Sequence, residues 1–442
     1  MSIQQNFPGF SPSLNLNFAR SKRLDQRVTF VRQTGATVTN ELGLLERVGN
    51  NIPRFEHKYD ASTRTVRSLG LLIEEQRENL VDYSNDFTQL WSQPDIITAN
   101  DTISPDGTLN AAKVTNDSNS NNYNFAGYRV FAETKTTYTY SFFIKDDDSG
   151  AFSIIVGTQG FNSGTGTYAR NTFNFSTKTF TTFQYVGQES GYVTNQRYEE
   201  YPNGWFRIIT TFNTSSFTST QTEINFGFYQ GVYGSTSSYY QKSLYTWGHQ
   251  LEVGAFPTSY IPTTGLPTTR AEDSVYIDGR IGDNFSWYNP LEGSILWTGN
   301  VYGTEKPAVC PYKISNLSNL RGIGVQFDTR SLNNNAVFMA RAVSSNIPVE
   351  NAPFGTIPSS DTIKISGAYE EGVGISAAFD GSPPASSGGG SQTDIVFGDE
   401  YYLDIGGSRS LSGTNNKFTG VCEQLIYYPR RITDLQLQSI SK

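Results

Sequence analysis

The sequence predicts an all-β chain, two antiparallel β-sandwiches behind an extended N-terminal segment. Three observations carry that prediction. Aromatic residues make up 14% of the 442 residues, with 26 Tyr and 29 Phe, while charged residues are only 17%. Aromatic and β-branched side chains pack well on a half-buried sheet face, and the helix-favouring set of Lys, Glu, Ala and Met is sparse. Short runs of alternating apolar and polar residues, bounded by Gly, Asn and Ser, recur along the chain. The regular alternation of strand and helix on which nucleotide-binding folds depend is missing. A chain of this length exceeds one ordinary core and suggests two or three domains.

Residues 1–80 read as short extended pieces, such as Leu14-Asn15-Leu16-Asn17-Phe18 and Arg27-Val28-Thr29-Phe30-Val31, between polar turns. Their apolar periodicity is too thin for an independent core, so the segment is expected to wrap over a neighbour or over the domains that follow. It ends in residues 68–80, where an apolar run gives way to a charged one.

Residues 81–265 carry the first sandwich. Tyr138, Tyr140, Phe142 and Ile144 are expected to share one strand face, as are Ile224, Phe226 and Phe228, and as are Tyr245, Trp247, His249 and Leu251. Pro257, Pro262, Gly265 and Pro267 break the pattern over residues 257–269, which marks the second boundary. Residues 266–442 carry the second sandwich. Val275 and Ile277, Ile323 with Val325 and Phe327, Ile363 and Ile365, and Val373 with Ile375, Ala377 and Phe379 alternate as strand faces do. Asp380-Gly381 signals a hairpin turn, and the Pro, Ser and Gly-rich residues 382–392 beyond it are expected to be exposed and mobile. Thr433-Asp434-Leu435-Gln436 fits a capping box that opens one short terminal helix.

Formal charge is −8 and pI is near 5.0, which lacks the basic footprint of a nucleic-acid binder. The charge is uneven. Residues 1–80 hold 11 Lys and Arg against 8 Asp and Glu, a balance of +3, which leaves 22 against 33, or −11, for the rest. No charged region followed by an apolar core marks a signal peptide, and no stretch of about 18 apolar residues is long enough to span a membrane. The expected partners therefore include neither nucleic acid nor membrane. Cys310 and Cys422 are far apart and read as buried free thiols rather than a disulfide framework or a metal site.

Little in the chain supports catalysis. His57 and His249 are the two histidines, and His249 reads as a satisfied sheet residue on the same face as Trp247. No nucleophile elbow and no Gly-rich phosphate loop is present. Two carboxylates across a cleft suffice for a glycosidase, but Glu199 with Glu200 and Glu370 with Glu371 are adjacent pairs that read as solvated turns. Asp146-Asp147-Asp148-Ser149-Gly150 offers calcium oxygens without the alternating loop of an EF-hand, and reads as a hairpin turn. Trp91, Trp205, Trp247, Trp287 and Trp297 lie in or beside strand-like runs and are expected in cores. Tyr233, Tyr239 and Tyr240 differ, since they stand among Gly and Ser in a loop whose composition suits adaptable recognition. Catalytic residues, metal and cofactor are all expected to be none.

Several stretches resemble a module that recurs in tailed-bacteriophage virion proteins. They are Phe18-Ala19-Arg20-Ser21-Lys22, residues 68–80, Tyr83-Ser84-Asn85-Asp86-Phe87 through Trp91, Ser104-Pro105-Asp106-Gly107, Asn203-Gly204-Trp205-Phe206-Arg207 and residues 250–263. The central part is similar to a carbohydrate-binding-module jelly roll. The last part, with Ile426-Tyr427-Tyr428-Pro429-Arg430-Arg431-Ile432, is similar to the close of a concanavalin-A or laminin-G-like domain.

The resemblance implies a component of the virion, assembled in the host cytoplasm beside other virion proteins, of the fibre, spike, tail or decoration kind. On the leading expectation it is a tail fibre, spike or adhesin-like protein. Residues 1–80 attach it to the particle, with Phe18, Arg20, Lys22 and Arg23 as the attachment residues, and the sandwiches face the host. A homotrimer is the default assembly, and Tyr233, Tyr239 and Tyr240 are the stacking faces for any host cell-surface glycan. A second expectation is a capsid or tail decoration protein without sugar specificity. A third is a polysaccharide-degrading tailspike.

Overall fold

The computed structural model describes residues 7–90, 96–116, 125–132, 136–158, 168–186, 191–214, 222–231, 242–280, 283–302, 308–316, 322–328, 335–341, 348–356, 362–386, 400–407 and 418–442. Among them the chain is all-β, with four large antiparallel sheets and two two-stranded ladders.

Two six-stranded sheets form the central sandwich. One runs in the order Val193–Tyr201, Trp205–Asn213, Thr137–Asp146, Ser243–Val253, Leu109–Thr115 and Ile96–Ile103. The other runs Ala126–Ala132, Thr222–Gln230, Ala151–Thr158 and Tyr168–Asn174, with Thr179–Phe180 and Gln184–Val186 on its far edge. The chain crosses repeatedly from one sheet to the other, with Ile96–Ile103 and Leu109–Thr115, Ala151–Thr158 and Tyr168–Asn174, and Val193–Tyr201 and Trp205–Asn213 as successive neighbours within a sheet, an arrangement of the jelly-roll kind. Between the sheets lie Tyr138, Tyr140, Phe142 and Ile144, together with Ile224, Phe226 and Phe228, all within 1% of full burial. Both predicted faces therefore point inward.

The third predicted face does not hold. Leu251 and the His249 ring lie in the inter-sheet core, against Phe142 and Phe87. Trp247 and Tyr245 instead sit on the outer face, in a separate cluster with Phe143, Trp205 and Tyr260. The cause is a bulge. Ser141 pairs with Gln250, yet Phe143 pairs with Trp247, so the longer strand holds an extra residue. Gly248 supplies it, with a φ of +64° that a side chain would resist. His249 and Trp247 are thereby turned to opposite faces.

The second sandwich pairs an eight-stranded sheet with a seven-stranded one. The first runs Ala385–Ser386, Gly374–Phe379, Ile363–Glu370, Glu292–Val301, Gly420–Tyr428, Thr65–Ile73 and Arg54–Asp60. Leu14–Asn17 also pairs with Gly420–Tyr428. The second runs Thr29–Val31, Ser274–Arg280, Glu400–Ile405, Ala308–Asn316, Gly322–Asp328, Asn335–Arg341 and Pro348–Thr356. Trp297, Trp287, Val275, Ile277, Ile323, Val325, Ile363, Ile365, Ile375, Ala377 and Phe379 fill the space between them. Val373 departs from its predicted face. It is 51% exposed in the turn before Gly374–Phe379, where its N–H donates to the Glu370 carbonyl.

Residues 7–80 do not stand apart as an arm. They supply strands to both sheets of the second sandwich, and Leu14, Leu16, Phe18, Leu71 and Ile73 are each at most 2% exposed in its core. Burying five such side chains contributes on the order of 10 kcal/mol before the entropy of ordering the segment is subtracted. The hairpin of Ala36–Thr39 and Leu45–Val48 reaches the other way. Its Leu45 packs against the outer cluster of the central sandwich.

Polar side chains join the two sandwiches. Arg77–Asn79 pairs with Thr268–Arg270. The buried Asn79 amide donates to the carbonyls of His249 (3.1 Å) and Ile261 (2.8 Å), and its oxygen accepts from the N–H groups of Val81 and Leu251. Beside it, Arg54 donates to Glu74 at 2.7 Å and to Asp273, and Arg32 donates to Asp273 at 3.2 Å. Arg270 closes the cluster at 3.5 Å from Glu74.

The smaller sequence features are in place. Asp380 and Gly381 both have positive φ in a tight turn, as a type I′ hairpin demands. The helix Asp434–Ile440 opens on the Thr433 and Gln436 capping box. Cys310 and Cys422 are buried and are not joined in a disulfide.

Candidate functional site

A groove of about 580 Å³ opens at the N-terminal strand, lined by Asn15 to Phe18, Arg20, Ser21 and Arg23 to Asp25. Local sequence builds it. Leu14 and Leu16 point into the core and Asn15 points out, as strand alternation requires. The Asn17 side chain accepts from the Arg20 N–H at 3.0 Å and starts a single helical turn, Phe18–Ser21. Lys22, with φ of +49°, ends that turn. Phe18 is 1% exposed, so it anchors the turn from beneath.

The charges on the rim fall into two kinds. Arg27 grips Asp25 through two bonds of 2.8 and 2.9 Å, and those hydrogen bonds hold the Asp25 carboxyl below the usual carboxylate range. Lys22 reaches Glu41 at 3.3 Å on the surface, a contact worth little in water. Arg20 and Arg23 have no carboxylate within 4.0 Å among the described residues, and both are exposed. Of the residues predicted for attachment, Arg20 and Arg23 thus share one groove. Phe18 supports it, and Lys22 is turned toward Glu41.

Tyr233, Tyr239 and Tyr240 lie outside the described residues, as does Trp91. The strands on either side of that loop meet the 146–150 turn, where the Gly231 N–H donates to the Ala151 carbonyl and the Ser243 hydroxyl donates to Asp147. The segment is a turn, but not the hairpin expected from the sequence, because Thr137–Asp146 and Ala151–Thr158 belong to opposite sheets and do not pair, so it carries the chain across the sandwich. Asp146 accepts from the Ser149 and Gly150 N–H groups at 3.0 and 2.9 Å, and Asp147 accepts from Lys113 at 2.7 Å. Burial alone would raise the Asp147 carboxyl, but Lys113 and Ser243 bring it below its ordinary value. Among the described residues no group of three or more His, Cys, Asp and Glu side chains could hold a metal ion.

The adjacent acid pairs do not form a carboxylate site. Glu199 and Glu200 lie within the strand Val193–Tyr201 and not in a turn, because their strand pairs fully with Trp205–Asn213. Glu199 pairs with Arg197, and Glu200 pairs with Lys178 at 2.6 Å. Glu370 ends a strand and Glu371 begins the turn after it.

His249 is a closed structural group. The Thr246 hydroxyl donates to the Phe143 carbonyl at 3.1 Å, so it accepts from the His249 Nε2–H at 2.8 Å. Nδ1 is then the acceptor for the Tyr140 hydroxyl at 2.7 Å. Burial lowers the imidazole pKa well below its ordinary value, so the folded ring stays neutral in mild acid. The unfolded ring takes up a proton below about pH 6.5. Stability is therefore present above that pH and is lost as pH falls, by roughly 2 kcal/mol between pH 7 and pH 5. Denaturant unfolding of wild type and His249→Gln at both pH values checks this. An identical pH dependence in the two proteins would refute it.

No protein-family model matches the chain, and no curated protein does. Solved structures similar to it include the CBM40 of the Ruminococcus gnavus IT-sialidase bound to alpha2,3 sialyllactose, 12% identical over 38% of this chain and 92% of that one, with a TM-score of 0.31. Domains LG4-5 of the mouse laminin alpha1 chain are 11% identical over 69% of this chain and 86% of that one, with a TM-score of 0.23. A Trypanosoma rangeli sialidase is 10% identical over 72% of this chain and 53% of that one, with a TM-score of 0.28.

Proposed function

We propose that the chain is a non-enzymatic structural protein of a tailed-phage particle, of the fibre, spike or adhesin kind. On this reading residues 1–80 hold it to other virion proteins and the sandwiches are turned to the host. The observation that carries the reading is the groove with its two uncommitted arginines, placed within an N-terminal segment whose charge balance is positive in an acidic chain. The virion-protein resemblance of the surrounding motifs supports it. So does the weaving of residues 7–80 into the second sandwich, which gives any attachment a rigid lever.

Labelling the protein in purified particles, by antibody-gold or by cryo-EM difference maps, tests the proposal. Copies on the tail or its fibres are expected. Copies arrayed over the head lattice would favour the decoration reading, to which the packed sandwiches also lend themselves, and absence from particles would end both. Sedimentation of the purified chain tests the trimer, with a single monomeric species at high concentration counting against it.

Glycan recognition by the Tyr loop belongs to the same proposal. Loops on a rigid scaffold vary in chemistry without disturbing the sheets, and many copies on one particle make weak sites effective. Particles carrying Tyr233→Ala, Tyr239→Ala and Tyr240→Ala together should fold normally and adsorb poorly to host cells. Unchanged adsorption would remove the glycan role and leave the particle role standing.

A further inference from the structure

The strand Leu14–Asn17 pairs with Gly420–Tyr428 along one edge, and its other edge has no strand partner among the described residues. Such an edge presents backbone donors and acceptors at a spacing that matches another extended chain. The groove adjoins this strand, because Asn15, Leu16 and Asn17 are among its lining residues. Leu16, Phe18 and Leu24 give it an apolar base, the first two at most 2% exposed and Leu24 partly buried. Arg20 and Arg23 stand on the rim without a carboxylate partner within 4.0 Å among the described residues, while Lys22 and Arg27 of the same stretch are engaged by Glu41 and Asp25. The groove thus combines a free edge, an apolar base and two available guanidinium groups.

We propose that this groove takes an extended acidic segment of a partner polypeptide, which adds as a strand along the free edge of Leu14–Asn17 while its carboxylates meet Arg20 and Arg23. The proposal rests on the reading of residues 1–80 as the part that docks, and gives that docking its chemistry. Charge decides the occupant. A guanidinium offers paired N–H donors that match a carboxylate, and a basic rim discriminates against neutral or basic chains. A volume near 580 Å³ suits a few residues of peptide. The Asn15 side chain is already engaged, its oxygen accepting from Gln424 Nε2 at 3.2 Å across the paired edge, so the free edge offers backbone groups to the partner.

Selection of a random twelve-residue peptide library on the immobilised full-length chain tests this, with the Arg20→Glu, Arg23→Glu double variant as the counter-selection surface. Enriched peptides should be rich in Asp and Glu with one or two apolar residues, and should bind more weakly as salt is raised. Replacing either arginine by Gln should weaken such a peptide on the order of tenfold. Matching thermal unfolding of the variants and wild type shows that the fold is kept. Enrichment of neutral or basic peptides, or equal binding to the double variant, would overturn the assignment. Self-association that disappears in the double variant would transfer the groove to a second copy of this chain and overturn it equally. Binding of soluble acidic sugars in place of peptides would do the same. Peptide recognition by a protein absent from particles sinks the particle reading alone, whereas loss of recognition by a protein still found on particles sinks the groove alone.

Discussion

Asp273→Asn is expected to lower the stability of the folded chain by about 3–5 kcal/mol, the range for breaking a buried ion pair from one side. Asp273 accepts from Arg32, from Arg54 and from the Glu74 N–H, and both arginines are fully buried. With Asp273 ionised, the cluster holds three cations, Arg32, Arg54 and Arg270, against two carboxylates, Glu74 and Asp273. With Asn in its place one carboxylate faces three guanidiniums that water cannot reach. Chemical denaturation measures the loss. A change under about 1 kcal/mol would mean that the junction is hydrated and the charges screened.

Acid should attack the same junction. Burial alone would raise the Glu74 carboxyl, but Arg270, Arg54 and the Ser259 hydrogen bonds outweigh it and hold the pKa down to about 2. The unfolded carboxyl titrates near 4.5. Its contribution is thus present above about pH 5 and disappears as pH falls toward 2, a loss of roughly 3 kcal/mol. This window lies below that of His249, so a pH series separates the two.

The second large effect is expected at Gly70. Its φ of +118° lies where side chains are strained, and a Cβ built there would stand 2.3 Å from the Cys422 carbonyl oxygen and 2.7 Å from the Glu423 Cα. Those atoms are backbone of the neighbouring strand and cannot rotate aside. Gly70→Ala should therefore force Thr65–Ile73 away from Gly420–Tyr428, at roughly 3–5 kcal/mol from strain and overpacking together. Gly372 is the control. It also has positive φ, +74°, but with open space around it, so Gly372→Ala should cost only about 1 kcal/mol. Equal losses at the two positions would show that conformational strain, and not the close strand approach, governs Gly70.

Much of the fold was legible in the sequence because the signals are local. Tyr138, Tyr140, Phe142 and Ile144 alternate along one strand, and alternation alone predicts that they share a buried face. The Thr433 and Gln436 capping box and the Asp380-Gly381 turn each depend on residues within four positions of one another. The burial of Trp205, Trp247, Trp287 and Trp297 followed from their strand context. Of the candidate site, the sequence indicated the basic stretch and its residues. It could not indicate that Phe18 would be hidden, that Lys22 would turn to Glu41, or that Arg20 and Arg23 would share a groove.

By itself the sequence determined the all-β class, the alternating faces and the local caps and turns, since each depends on side-chain spacing along a single strand or turn. Only the tertiary structure decided which strands pair. Residues 14–17 meet Gly420–Tyr428 across the length of the chain, and Arg54 finds Asp273 at a separation of 219 residues. Such partners are chosen by the burial of whole faces and the matching of distant charges, which no window of local sequence contains. The bulge at Gly248 makes the same point within one strand. The alternation predicted His249 beside Trp247, but pairing with Thr137–Asp146 on either side of the extra residue turned them to opposite faces, one into the core and one beneath the N-terminal hairpin.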